Sequence, residues 1–144
     1  MEEWAKSIAT LSAQGVETII VSSGAVGLGM GKLGIEERPK DLSLLRACAS
    51  IGQCLLMNAW SQSSEKAGLI ASQVLLTRED FESRKRSQKV EETLCTLLKQ
   101  KVVPVVNEND SVSDEEIKYL PCCIICNLSL FYQYSIYLLV YLQR

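Results

Sequence analysis

Val102-Val103-Pro104-Val105-Val106-Asn107-Glu108-Asn109-Asp110, read beside the earlier Ile19-Ile20-Val21-Ser22-Ser23-Gly24-Ala25, decides the fold of this chain. In both stretches an apolar run ends abruptly in small polar, amide or acidic residues. A short apolar run bounded by turn residues is the pattern of a strand covered on both faces, as strands of parallel sheets are. Ligands of open α/β sheets bind beyond the carboxyl ends of such strands, so the two polar stops mark where a site is expected.

Outward from these strands the spacing of apolar residues becomes helical. Trp4, Ile8 and Leu11 share one face of a helix over residues 2–14, with Gly15 as its stop before a strand at 17–21. Residues 26–33 form a short helix loosened by Gly27, Gly29 and Gly31. A loop with Gly34, Arg38 and Pro39 leads to Asp41, the N-cap of a long helix reaching about residue 66. Leu44, Leu45, Cys48, Ile51, Gln53, Leu55, Leu56 and Trp60 lie on and around its buried stripe, and Gly52 in its middle marks close packing rather than a stop. After Gly68 comes a strand at 69–76, and Thr77 with Glu79 and Asp80 opens one helix running to about residue 99. The strand over 102–106 tolerates Pro104 only at an edge or an irregularity. Trp4 and Trp60 both read as core residues. This order of elements predicts an α/β fold, a three-layer αβα arrangement around a mostly parallel sheet.

Composition narrows the function. The chain has 144 residues, a formal net charge of -2 and no histidine. That length suits one domain or part of one, and is short for an enzyme holding two substrates between lobes. The charge balance gives no reason to expect nucleic acid or an anionic membrane. Without histidine, no histidine-based nucleophilic triad or metal site exists. The six cysteines do not form a secreted framework, because Cys48, Cys54 and Cys95 sit in apolar helical contexts. A reducing, cytoplasmic setting is expected, and Glu2, Glu3 and Lys6 break up the apolar run that a signal peptide would need. The basic cluster Arg84, Lys85, Arg86 and Lys89 lies among acids and reads as a solvated helical face.

The two polar stops carry the chemistry. Ser22-Ser23-Gly24-Ala25 offers hydroxyls, backbone N–H groups and a permissive glycine at a strand-to-helix turn. It serves either to hold an anion or carboxylate, or as an N-cap and packing device. Ser23, the last side chain before the glycine bend, is the better candidate of the two serines. Asn107-Glu108-Asn109-Asp110 places amides and carboxylates at a partly dry junction, where polar groups are costly unless satisfied. Recognition of an amino group, retention of a magnesium-bound substrate and a plain Asx-turn all fit that tetrapeptide.

Four segments in order then carry a resemblance: residues 21–26 (Val-Ser-Ser-Gly-Ala-Val), 49–53 (Ala-Ser-Ile-Gly-Gln), 73–78 (Gln-Val-Leu-Leu-Thr-Arg) and 105–112 (Val-Val-Asn-Glu-Asn-Asp-Ser-Val). The chain resembles the amino acid kinase family, in its branch that phosphorylates glutamate at the start of proline biosynthesis. The resemblance covers about residues 2–118 and implies attack of a glutamate side-chain carboxylate on the γ-phosphoryl group of ATP, with Mg2+, giving glutamyl 5-phosphate and ADP. It implies that Ser23 and Gly24 border the reacting carboxylate. Asn107 and Asp110 bind and orient L-glutamate, Asp110 against its α-amino group, and Lys118 matches a late basic position.

By the same comparison residues 1–118 are the glutamate-binding side of a partial kinase domain. Residues 119–144 form a divergent apolar tail, uncharged until Arg144. The family's phosphate-binding and nucleotide-binding segments have no counterpart in this sequence, so the chain is expected to be incomplete and inactive alone. Its sheet should then show an unpaired edge or a void beside the strands at 17–21 and 102–106. Expected partners are a homo-oligomer or a full-length homologue, with no nucleic acid. The rival reading is a non-catalytic interaction or membrane-associated fragment, since 120–142 is long enough to cross a bilayer although Asn127, Gln133 and Ser135 dilute it.

Overall fold

A computed structural model describes residues 1–112 and 136–141. Its elements in chain order are α1 (Glu2–Ala13), β1 (Glu17–Ser22), α2 (Ala25–Leu33), α3 (Leu42–Lys66), β2 (Ile70–Leu76), α4 (Glu79–Glu82), α5 (Arg84–Lys99), β3 (Val102–Glu108) and β4 (Ile136–Tyr141). The four strands form one sheet in the order β2-β3-β1-β4, and every pairing is parallel. The two apolar runs that opened the argument are therefore neighbours, with Ile20 opposite Val105 and Val21 opposite Val106.

Strand alternation sends successive side chains to opposite faces, and each face is covered by helix. Ile20, Val103 and Val105 meet Ile8 of α1 and Leu56 and Trp60 of α3 on one face. Ile19, Val21 and Val106 meet Leu94 and Leu98 of α5 on the other. This is the three-layer αβα arrangement, and its double cover is why both runs lack polar residues. Pro104 lies in an interior strand, not at an edge. Its pairing with β1 starts one residue later, at Val105, so Pro104 lies just outside that ladder.

Local signals explain most boundaries. Gly15, at φ +80°, ends α1 in the left-handed conformation that only glycine adopts cheaply. Asp41 caps α3 by accepting the Ser43 N–H at 3.0 Å. The single helix expected from Thr77 onward is instead two. Asp80 turns back to accept from the Thr77 N–H and hydroxyl at 2.7 and 2.9 Å, and also binds Arg86, so the first turn closes on itself before Ser83 restarts the helix in extended backbone. Burial opposes the charge on Asp80, but the bonds from Thr77 and Arg86 outweigh it and hold this carboxyl below its ordinary value. Arg86 of the basic cluster is thus paired, to Asp80 and Glu79.

Leu44 and Leu55 of the expected α3 stripe are exposed, Trp4 overturns a further expectation, and of the expected edge or void only the void is found. Trp4 is 41% exposed, because α1 covers the sheet through Ala5 and Ile8 while Trp4 sits away from that contact line. The edge of β1 opposite β3 is not open: β4 pairs with it over six residues, from Glu17 opposite Ile136 to Ser22 opposite Tyr141. Ile136-Tyr137-Leu138-Leu139-Val140-Tyr141 is rich in strand-favouring residues, and part of the stretch weighed as a membrane span is thereby a strand of the sheet. A cavity of about 240 Å³ does lie beside the amino-terminal ends of β1 and β3, lined by Glu17, Thr18, Val102 and Val103. By length and composition α3 passes as a membrane-crossing helix, yet it is the helix that covers the sheet through Leu56 and Trp60.

Trp60 is fully buried, and its Nε1–H donates to Ser22 Oγ at 3.1 Å, pinning the end of β1 to α3. Trp60→Phe removes the donor and part of the ring and is expected to cost about 2 kcal/mol. The check is a lower urea midpoint with an unchanged slope, and Ser22→Ala should be markedly non-additive with it.

Candidate active site at the carboxyl end of the sheet

The parallel register places all four sequence blocks at one end of the sheet. Val21 is level with Val106, and Leu75 and Leu76 are level with Asn107 and Glu108. Ser22 and Ser23 therefore leave β1 beside the point where Asn107 to Asp110 leave β3. The Asn109 N–H closes this end by donating to Leu76 O at 2.9 Å. Helix α3 supplies the remaining wall, with Ala49, Ser50 and Gln53 lining a small cleft together with Ala25 and residues 108–111.

Each side chain has a local reason for its position. Ser22 is buried and its hydroxyl is engaged by Trp60, whereas Ser23 is half-buried in the turn itself. Gly24 is the N-cap of α2 at φ +103°, a conformation that β-carbons disfavour, and with Ser23 it turns the chain from strand into helix within two residues. The first N–H groups of α2 have no partner within the helix and carry its positive dipole end, a fit for a carboxylate or phosphate. Gly29 and Gly52 let α2 and α3 cross in backbone contact. A β-carbon on Gly52 would fall 1.7 Å from Ala25 O, and one on Gly29 would fall 1.8 Å from Cys48 O.

Asn107 is buried, and its Nδ2 donates to Gln53 Oε1 at 2.7 Å. Gln53 Nε2 in turn donates to Gln73 Oε1 at 3.1 Å. Asp110 is largely withdrawn from solvent, and its Oδ1 is buried with no hydrogen-bond partner. Burial raises the Asp110 carboxyl above the ordinary value of 3.8, opposed by a hydrogen bond with Glu108 and by the charge of Arg38. A desolvated carboxylate of this kind calls for a cation. The cleft beside it measures only about 20 Å³, room for one water-sized group. An ammonium group fits that space, and the rest of an amino acid would lie outside it.

Ser23, Gly24, Asn107 and Asp110 thus share one sheet end, while Lys118 lies outside the described residues. The sequence reading placed Gln53 on or around the stripe of its helix and assigned no functional role to Gln53 or Gln73. Their signal was present in the second and third blocks, where a glutamine closes one motif and opens the next. Nothing in a linear sequence says that two such amides will meet a third. Among the described residues no group of three or more cysteines, aspartates and glutamates gathers to hold a metal ion.

Comparison with known proteins adds a second line. Residues 1–129 match the amino acid kinase family. The chain is 51% identical over 118 residues to a glutamate 5-kinase of Caldanaerobacter subterraneus subsp. tengcongensis, covering 82% of this chain and 32% of that protein. It is 47% identical over 117 residues to a glutamate 5-kinase of Psychrobacter cryohalolentis, with 81% and 30% covered. It is 45% identical over 119 residues to that of Prochlorococcus marinus, with 83% and 33% covered. The chain spans about a third of the length of the curated relatives it matches.

Proposed function

Because this chain belongs to the amino acid kinase family, we propose that it forms the glutamate-binding side of a glutamate 5-kinase of proline biosynthesis. In that reaction an oxygen of the glutamate side-chain carboxylate bonds to the γ-phosphorus of ATP as the bond to the β,γ-bridging oxygen breaks, giving glutamyl 5-phosphate and ADP. The observation that carries the reading is the buried, unpartnered Oδ1 of Asp110, at the sheet end where Ser23 and the Gly24 turn also lie.

Each residue's part follows from what it offers. Asp110 takes the α-ammonium, and Asn107 beside it helps to bind and orient the amino acid. Ser23 and the N–H groups after Gly24 border the carboxylate that reacts, where donors hold its oxygens in line with the phosphoryl group. Glu108 and Asn109 shape the loop. Mg2+ is expected to accompany the nucleotide, and the part that falls to the described residues is binding and orientation of the amino acid. Phosphoryl transfer also depends on cationic groups placed around the phosphates. The isolated chain is therefore expected to bind glutamate weakly and turn it over scarcely at all.

Calorimetric titration with L-glutamate, beside an assay of glutamate-dependent ADP formation, tests both halves. Millimolar binding with negligible ADP release is the expected result. Rapid turnover by the chain alone would refute its inactivity, and no heat at tens of millimolar would refute the glutamate assignment.

A further inference from the structure

We propose that Gln53 decides which end of the Asn107 amide faces a ligand, and that it thereby makes this sheet end selective for an ammonium group over a carboxylate. The ammonium half rests on the glutamate reading above; the orienting half stands on geometry alone. An amide has one acceptor end and one donor end. Gln53 spends its donor end on Gln73 Oε1 at 3.1 Å, which turns its acceptor end toward Asn107. Asn107 turns its donor end there and gives one of its two N–H groups at 2.7 Å. The end of Asn107 that this bond turns away from Gln53 is Oδ1, an acceptor.

The consequence is chemical. At neutral pH glutamate carries two carboxylates, which only accept, and one ammonium, which only donates. Asp110 follows Asn107 in the same segment and adds a second acceptor, and only the ammonium can satisfy both. With the amide chain reversed, Asn107 would present its NH2 and pair with a carboxylate instead.

Gln53 is well placed to hold the direction. Its neighbour Gly52 is in backbone contact with Ala25, so the helix cannot slide at this point. The bond to Asn107 is the shorter and more buried of the two, which makes Gln53 the principal positioning residue and Gln73 its support.

Gln53→Met keeps the length of the side chain and removes both ends of the amide. In the 15N-labelled chain, the Asn107 side-chain amide is expected to shift and to lose protection from hydrogen exchange. Gln53→Glu, which still offers an acceptor, should retain that protection. In titrations, the preference for glutamate over glutarate, the same diacid without the ammonium, should fall about tenfold in Gln53→Met, the scale of one lost hydrogen-bonding partner. Glutarate binding itself should be unchanged.

An Asn107 amide that does not respond to Gln53→Met overturns the orienting role. Equal losses for glutamate and glutarate overturn the selectivity. An unaltered chain that binds neither diacid refutes the glutamate reading and the ammonium half with it, while the Asn107 resonance still decides the orienting half by itself.

Discussion

Gly52→Ala is expected to cost about 3 kcal/mol, the upper end for overpacking, although it adds one methyl group in the middle of a helix. Elsewhere that exchange favours a helix by roughly 1 kcal/mol. Here the new β-carbon would lie 1.7 Å from Ala25 O and 2.6 Å from Gly29 N, and backbone atoms cannot swing aside as a side chain would. Helices α2 and α3 must separate, and Ala25 moves with them, so the turn at Gly24 is displaced from the strand ends. Gly27 and Gly31 in α2 are the controls, because a β-carbon at either meets nothing within 4 Å. Gly27→Ala and Gly31→Ala should each stabilise by about 0.5–1 kcal/mol. Urea unfolding of the three variants gives the check, and a Gly52→Ala protein as stable as the parent would mean that the two helices do not cross as described.

Asp110→Asn should weaken glutamate binding about 30- to 100-fold while making the fold more stable by about 1 kcal/mol. The opposite signs share one cause. The buried Asp110 Oδ1 has no partner, and burial raises the pKa of the group, so the folded chain holds its proton more tightly than the unfolded chain does. The contribution of Asp110 to stability is thus fully present below the unfolded value near 3.8 and is lost as pH rises through the higher folded value. Once the group is ionised, its desolvated charge is a strain that an ammonium relieves. An asparagine removes the charge and can donate to Glu108, but it brings no negative charge to pair with a cation. Glutamate affinity should likewise fall as pH drops through the raised value, where the carboxylate takes up a proton. Calorimetry across pH, with thermal unfolding of both proteins, measures all three effects. Unchanged affinity in Asp110→Asn would remove the residue from substrate binding whatever its effect on stability.

Parts of this architecture were legible because they depend on local chemistry. Gly15 and Gly68 take positive φ, and Asp41 caps a helix, for reasons that operate within a few residues. The apolar runs before Ser22 and Asn107 announced strands buried on both faces. Their neighbouring pairing placed the serine turn and the acid-amide loop together. Elsewhere local reasoning failed. Thr77 was a sound helix start, but Asp80 folded back on it and Arg86 closed the turn from outside, dividing one expected helix in two. Trp4 had helical spacing with Ile8, yet the sheet meets α1 along a narrower line than that spacing suggested.

By itself the sequence determined the class of fold, the order of its elements and the residue types gathered at the carboxyl end of the sheet, because periodicity, caps and turn chemistry act over short distances. Only the tertiary structure decided that β4 pairs with β1, that Trp60 engages Ser22 and leaves Ser23 in the turn, and that Gln53 and Gln73 set the direction of the Asn107 amide. Those contacts join residues 20 to about 120 positions apart. Hydrogen-bond partners and strand neighbours at such separations depend on how helices and strands pack in space, and a linear pattern of residues does not contain that information.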